Sequence, residues 1–227
     1  MTKRCHIFQP QVEKVEHYLR YVDFFSYFCT RNANRALATR TPSDNDMEYK
    51  HTDIEDVVVV EPRVLGDSRG YFMETWKQQE FEEHIGQISF VQENESMSSR
   101  GVLRGLHYQK GEWSQAKLVR VIKGTVVDVA VDIRRGSPTF GHHVMVELSG
   151  DNKRQLFIPR GFAHGFLVMS DEAVFTYKVD NVYAPQAEAG IRWDDPQLGI
   201  EWPIGNMKLL FSEKDMKQPL LKDAWLF

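Results

Sequence analysis

From residue 57 onward, apolar and polar positions alternate with a period of two, the pattern of half-buried strands. Short runs of this kind fall at 57–60, 70–75, 88–92, 103–108, 117–122, 125–133, 143–148, 155–158, 166–169 and 174–179. Turn-forming stretches separate them, among them Gly66-Asp-Ser-Arg-Gly70, Lys123-Gly124, Arg135-Gly-Ser-Pro138 and Ser149-Gly-Asp-Asn152. In 125–133, Val127, Val129, Val131 and Ile133 alternate with Asp128, Ala130 and Asp132, so one face is expected to be buried and the other wet. Only 76–85, with Phe81 and Ile85 four apart, reads as a helix in this region. Many short strands at near-regular spacing predict a mainly β fold, an antiparallel sandwich or barrel of the jelly-roll type.

The chain before this region reads differently. Val12, Val15, Leu19, Val22 and Phe25 recur near helical spacing, so 10–29 is expected to form one amphipathic helix. Residues 30–46 then turn polar, as a linker does. The expected organisation is an N-terminal extension at 1–46 and one domain at 47–227. Three readings of the extension compete: a segment upstream of the true start, a helical arm, or a transit peptide. The transit reading rests on the acid-free stretch 24–43 with its three arginines.

Composition narrows the function classes. Apolar content of 42% and charged content of 26% are ordinary for a globular protein. A net charge of −4 gives no basic field for nucleic acid. Cys5 and Cys29 both precede residue 47, which removes a disulfide framework or a cysteine zinc site from the domain. No apolar run approaches the ~18 residues of a membrane helix. With no secretory signal at the start, a cytoplasmic location is the expectation.

The segment Val102-Leu-Arg-Gly-Leu-His-Tyr-Gln109 carries the most chemistry. As an extended strand it would point Arg104, Leu106 and Tyr108 one way and Leu103, Gly105 and His107 the other. Ionisable groups on both faces are costly to bury unpaired, so the strand is expected to wall a polar cavity.

Several ungapped blocks then agree at once: 103–109, Lys117-Leu-Val-Arg120, Asp128-Val-Ala-Val-Asp-Ile-Arg134, Ser137-Pro-Thr-Phe-Gly141 and Ile158-Pro-Arg-Gly-Phe-Ala-His-Gly-Phe166. In these blocks the chain, from about Met47 to its end, resembles the dTDP-4-dehydrorhamnose 3,5-epimerases, sugar-nucleotide enzymes of the cupin superfamily. The resemblance implies a cupin-type jelly-roll barrel and inversion of C3 and C5 of dTDP-4-dehydro-6-deoxy-D-glucose. It also implies a homodimer and no metal or organic cofactor. The residues agree on the metal: cupins often ligate through His-x-His, and here His107 is followed by Gln109, leaving His164 as the other imidazole of the expected set.

Epimerisation beside a ketone needs a base, a cation or donor for the enolate, and an acid on the opposite side. The resemblance makes His107 the base, Asp215 its partner, Lys117 with His164 the enolate stabilisers, and Tyr177 the acid. It makes Arg69, Arg104 and Lys214 diphosphate ligands, sets Glu74, Gln92, Asn94 and Glu188 on sugar or nucleotide groups, and stacks Tyr183 on the thymine. One departure is Glu95, where many members carry His; it is expected near the substrate wall and bears on pocket charge. Rival readings are a single-carbon epimerase of a related 4-keto sugar nucleotide, and a non-catalytic cupin that binds a sugar nucleotide or glycan.

Overall fold

The computed structural model describes residues 47–227. The expected 10–29 helix, the 30–46 linker and both cysteines lie outside the described residues. In chain order the strands are β1 (Glu48–His51), β2 (Val58–Glu61), β3 (Leu65–Asp67), β4 (Gly70–Phe72), β5 (Gln92–Ser99), β6 (Leu103–Gln109) and β7 (Lys117–Lys123). There follow β8 (Thr125–Asp132), β9 (His143–Ser149), β10 (Gln155–Ile158), β11 (Phe162–Val168), β12 (Glu172–Val179) and β13 (Glu188–Gly190). Helix α1 (Gln78–His84) precedes β5, and α2 (Glu213–Met216) lies near the C-terminus.

Two antiparallel sheets, ordered β1-β2-β10-β7-β12-β5 and β13-β6-β11-β8-β9, form the expected jelly roll, with β3-β4 as a separate hairpin. They face one another as a sandwich rather than sharing strands around a closed barrel. Val119, Val121 and Phe175 of one sheet meet Ala130, Leu148, Phe162 and Phe166 of the other. Phe166 and Phe175 stack across the gap with ring centroids 4.3 Å apart. Full burial of each such side chain contributes roughly 1.5–3 kcal/mol.

Each sheet is also covered on its outer side. The C-terminal segment packs Ile191, Leu198, Trp202 and Leu221 over the β6-β11-β8 face, where Leu103, Leu106, Val127, Val129 and Val131 point. The indole N–H of Trp202 donates to the carbonyl of Trp193 at 2.9 Å. On the other sheet, α1 sets Phe81 against Val58, Val60, Leu118 and Phe157, with Met47 in the same cluster.

Four expectations change here. First, β8 is buried on both faces, not half wet, because the C-terminal segment covers the valine face and the sheet interior holds Asp128 and Ala130. Both aspartates survive burial by being paired. Asp132 takes Arg134 at 2.7 Å, Ser137 at 2.6 Å and Thr139 at 2.7 Å. Burial would raise its carboxyl, but these donors hold it down at about 2, and they tie down the turn that follows β8.

Second, the strand expected at 57–60 runs Val58–Glu61 and lies inside its sheet. The polar β1 folds back on one side of β2 and β10 pairs on the other, so the valines enter the core. Third, the strand expected at 88–92 is displaced to Gln92–Ser99. That strand has almost no apolar residues, because its inward side chains line a polar cavity instead of a core. Fourth, β11 begins at Phe162, earlier than the 166–169 run, so it carries His164 inside the sheet.

Candidate active site

The expected alternation along 103–108 fails at one residue. The β6–β11 register shifts between His164 and Phe166, so His164 lies opposite His107 while Phe166 lies opposite Arg104. Gly105 sits at the irregularity with φ of 133°, a conformation that L side chains rarely adopt. A Cβ there would lie 2.5 Å from the Cα of Gly165, so two glycines are needed where these strands touch. The extra residue puts Leu103 and Leu106 together in the outer core and frees Arg104 and His107 to share the inner face. The bulge therefore brings two functional side chains to one cavity, which strict alternation would have separated.

His107 is held from the C-terminal segment. Its Nε2 lies 2.7 Å from Oδ1 of Asp215, a close contact without the alignment of a hydrogen bond. Asp215 itself is buried and well supplied with donors. Its Oδ1 accepts the Gly105 amide at 3.2 Å, and its Oδ2 accepts the Ser212 amide at 3.0 Å and hydroxyl at 2.6 Å. The Asp215 amide in turn donates to the Ser212 hydroxyl at 3.2 Å, which closes a capping box at the start of α2. Burial pushes the Asp215 carboxyl up, but His107, Ser212 and the Gly105 amide outweigh it and hold the group well below its ordinary range. The result is a permanent negative charge beside one imidazole nitrogen, leaving the other nitrogen of His107 to meet a substrate proton.

The second imidazole is more deeply placed. His164 Nε2 lies 2.9 and 3.0 Å from the two carboxylate oxygens of Asp128, and both residues are buried. Burial lowers the His164 pKa, with Asp128 working in the opposite direction. A neutral ring that donates Nε2–H to Asp128 presents only a lone pair on Nδ1, so it is a poor donor for an enolate oxygen. Lys117 fits that task better. Desolvation brings its pKa down to about 8 against the pull of Asp128, which leaves a poorly hydrated ammonium facing the interior.

Tyr177 comes from the opposite sheet. On β12 it pairs with Asn94 of β5 and Val119 of β7, and its ring packs against the inter-sheet core. Burial raises its pKa, while Asn94 and the charge of Arg104 act to lower it, which places the phenol beside both. Arg104 is fixed by Ser98, whose hydroxyl accepts from Nε at 3.1 Å and Nη2 at 3.0 Å. Gln92 and Asn94 face the same interior, joined by a 2.8 Å hydrogen bond. At the rim, Glu188 accepts from Lys214 at 2.7 Å and from the Tyr183 hydroxyl at 3.0 Å.

The structure thus sets Arg104, His107 and His164 of one sheet and Gln92, Asn94, Lys117 and Tyr177 of the other on inward positions, with Asp215 against His107 and Tyr183, Glu188 and Lys214 joined at the rim. Two expected binding residues lie elsewhere. Arg69 sits at the tip of the β3–β4 hairpin, paired at 2.6 Å with Asp67, and the only ion pair of Glu74 among the described residues is to Lys77 at 3.9 Å. Glu95 does not face the substrate wall. It pairs with Thr176 on the outward side of β5, since its neighbour Asn94 takes the inward one. The sequence reading missed Asp128, Ser98 and Ser212. An aspartate inside a valine strand and the Ser212-Glu-Lys-Asp215 spacing were the available signals.

A family model described as dTDP-4-dehydrorhamnose 3,5-epimerase matches residues 51–223. The chain belongs to that family. A dTDP-4-dehydrorhamnose 3,5-epimerase of Shigella flexneri is 55% identical over 182 residues, covering 80% of this chain and 99% of that one. A crystal structure of the 3,5-epimerase of Legionella pneumophila in complex with dTDP-4-keto-L-rhamnose superposes with a TM-score of 0.76 at 50% identity, covering 78% and 94%. A dTDP-4-dehydrorhamnose 3-epimerase of Streptomyces niveus is 37% identical over 179 residues, covering 78% and 86%.

The Lys117 environment predicts an alkaline limb. If Lys117 holds the enolate oxygen, its ammonium is the useful form, and activity should be present below its pKa and lost as pH rises through about 8. The pH profile of kcat/KM, which reports the free enzyme, should bend downward near that value. A Lys117→Gln variant should be slower and lack the bend. A limb unchanged in that variant belongs to another group.

Proposed function

We propose that this chain inverts C3 and C5 of dTDP-4-dehydro-6-deoxy-D-glucose to give dTDP-4-dehydro-L-rhamnose, with no metal or organic cofactor. The observation that carries the reading is the placement of a His–Asp base and a phenol on opposing sheets of one cavity that also holds a desolvated ammonium. His107 removes the proton next to the C4 ketone, the negative charge moves to the C4 oxygen, and Lys117 holds it. Tyr177 then protonates the carbon from the other side, and the ketone re-forms. Repetition at the second carbon completes the product. Asp215 stabilises the imidazolium formed in each cycle.

Arg104 and Lys214 bind the diphosphate, Gln92, Asn94 and Glu188 the sugar and nucleotide polar groups, and Tyr183 the thymine. His164 with Asp128 fixes the charge balance beside Lys117. Metal independence is supported by the donor set. Each imidazole is turned to a single carboxylate, and no cluster of three His, Cys, Asp or Glu suited to a metal occurs among the described residues. The greater similarity to the Shigella 3,5-epimerase than to the Streptomyces 3-epimerase favours two carbons over one.

The working unit is a homodimer acting in the cytoplasm. Dimerisation is supported by the β3–β4 hairpin, where the cross-strand partners Leu65 and Phe72 are exposed together in a short two-stranded element. Such a patch is a liability unless covered. Docked on a second copy, the same hairpin would bring Arg69 and Glu74 toward that copy's substrate. The domain is 47–227. At its start, the Met47 amide donates to the buried Glu80 at 2.6 Å, which ties the beginning of β1 to α1.

One experiment tests these points. A chain beginning at Met47, dialysed exhaustively against a chelator, is incubated with the 4-keto sugar nucleotide in deuterium oxide. Deuterium should enter both C3 and C5, and light scattering should give a dimer. Deuterium at a single carbon selects the single-carbon epimerase, and none at either selects the binding cupin. Loss of activity restored by one metal overturns metal independence, and an insoluble or monomeric chain overturns the domain or dimer assignment.

A further inference from the structure

Gln109 occupies the place where metal-binding cupins carry their second histidine, and the mechanism above gives it no part. Its side chain is buried at 5% exposure and is almost fully engaged. Nε2 donates to the carbonyls of Trp113 at 2.8 Å and Val182 at 3.1 Å, and Oε1 accepts the amide of Ala184 at 2.6 Å. Two carbonyls on one side and an N–H on the other leave a single sensible orientation of the amide. The two loop partners, Val182 and Ala184, flank Tyr183. A neighbouring clamp acts on the same loop, since Gln115 donates to the Asn181 carbonyl at 2.7 Å. The loop backbone is therefore held on both sides of Tyr183, while the ring of Tyr183 projects outward, 51% exposed.

We propose that Gln109 is a positioning residue for nucleotide recognition: its buried amide clamps the 181–184 loop so that the Tyr183 ring stands pre-set over the nucleotide subsite. The proposal rests on the reading of Tyr183 as the thymine-facing ring. It explains why a glutamine serves where a histidine ligand would otherwise stand. An imidazole offers one donor and one acceptor and cannot satisfy two carbonyls and an amide together. An exposed ring on an unclamped loop would have to be ordered on each binding event, at the expense of affinity.

The test is a double-mutant cycle read by calorimetric titration of dTDP, alongside steady-state kinetics. Tyr183→Ala should weaken dTDP binding about tenfold, the scale of one stacked base. Gln109→Met, similar in volume but unable to make the three hydrogen bonds, should weaken it comparably, with KM raised and kcat within about threefold of the parent. Gln109→Glu, which sets a carboxylate oxygen against two carbonyls, should weaken it at least as much. The double variant should bind no worse than Tyr183→Ala, because the clamp has nothing left to position. Additive losses, or a fall in kcat with dTDP affinity unchanged, overturn the proposal, as does failure of both Gln109 variants to fold. If Tyr183→Ala alone leaves dTDP affinity unchanged, the assignment of Tyr183 is at fault, a different result from a failed clamp.

Discussion

His107→Ala should abolish solvent-proton exchange at both C3 and C5 and reduce turnover by at least 10²-fold, the scale for removing a general base. The geometry explains why nothing substitutes. The other imidazole of the cavity, His164, is turned onto Asp128 at 2.9 Å and lies in the sheet interior. Asp215 is held ionised by its donors and aims at His107, so it is too weak a base to take over. The measurement is deuterium incorporation by proton NMR, with circular dichroism to show that the variant is folded. Exchange at near-normal rate in folded His107→Ala would falsify the assignment of the base.

Tyr177→Phe should separate two events that the parent enzyme couples. In the proposed mechanism proton removal depends on His107 on one sheet, so exchange with solvent should continue within about tenfold of the parent rate. Delivery from the other side is assigned to the phenol in that mechanism, so net inversion should fall by about 10²-fold and partly epimerised product should accumulate. Burial and packing of the ring against the core argue that phenylalanine is accommodated without refolding, since only the hydroxyl is lost. Chromatography of the product together with the exchange assay makes the distinction. Equal loss of exchange and inversion would mean that Tyr177 shapes the cavity and does not supply the proton.

The strands of the domain were legible because valine-rich alternation is imposed by burial of one face, a local property of the chain. The same property misled at β5 and β6. Gln92–Ser99 is a strand whose inward residues are polar, and polarity toward a cavity looks the same in sequence as polarity toward water. In β6 the alternation was sound up to Gly105, where contact with Gly165 inserts a bulge, and no local signal distinguishes such a glycine from one in a simple strand.

The residue types needed for proton transfer, and the family they indicate, were set by the sequence alone, because short ungapped blocks survive without knowledge of their neighbours. Tertiary structure decided which of those residues meet. Asp215 and His107 are over a hundred positions apart and touch only because the C-terminal segment runs along the edge of β6, where the Leu103 amide donates to Leu210 and the Gly105 amide to Asp215. His164 is paired with Asp128, a partner on the adjacent strand, and Glu95 is turned outward by the register of β5 on β12. Pairing, facing and charge balance arise from contacts between distant segments, and a one-dimensional pattern holds no information about which of them will be brought within 3 Å.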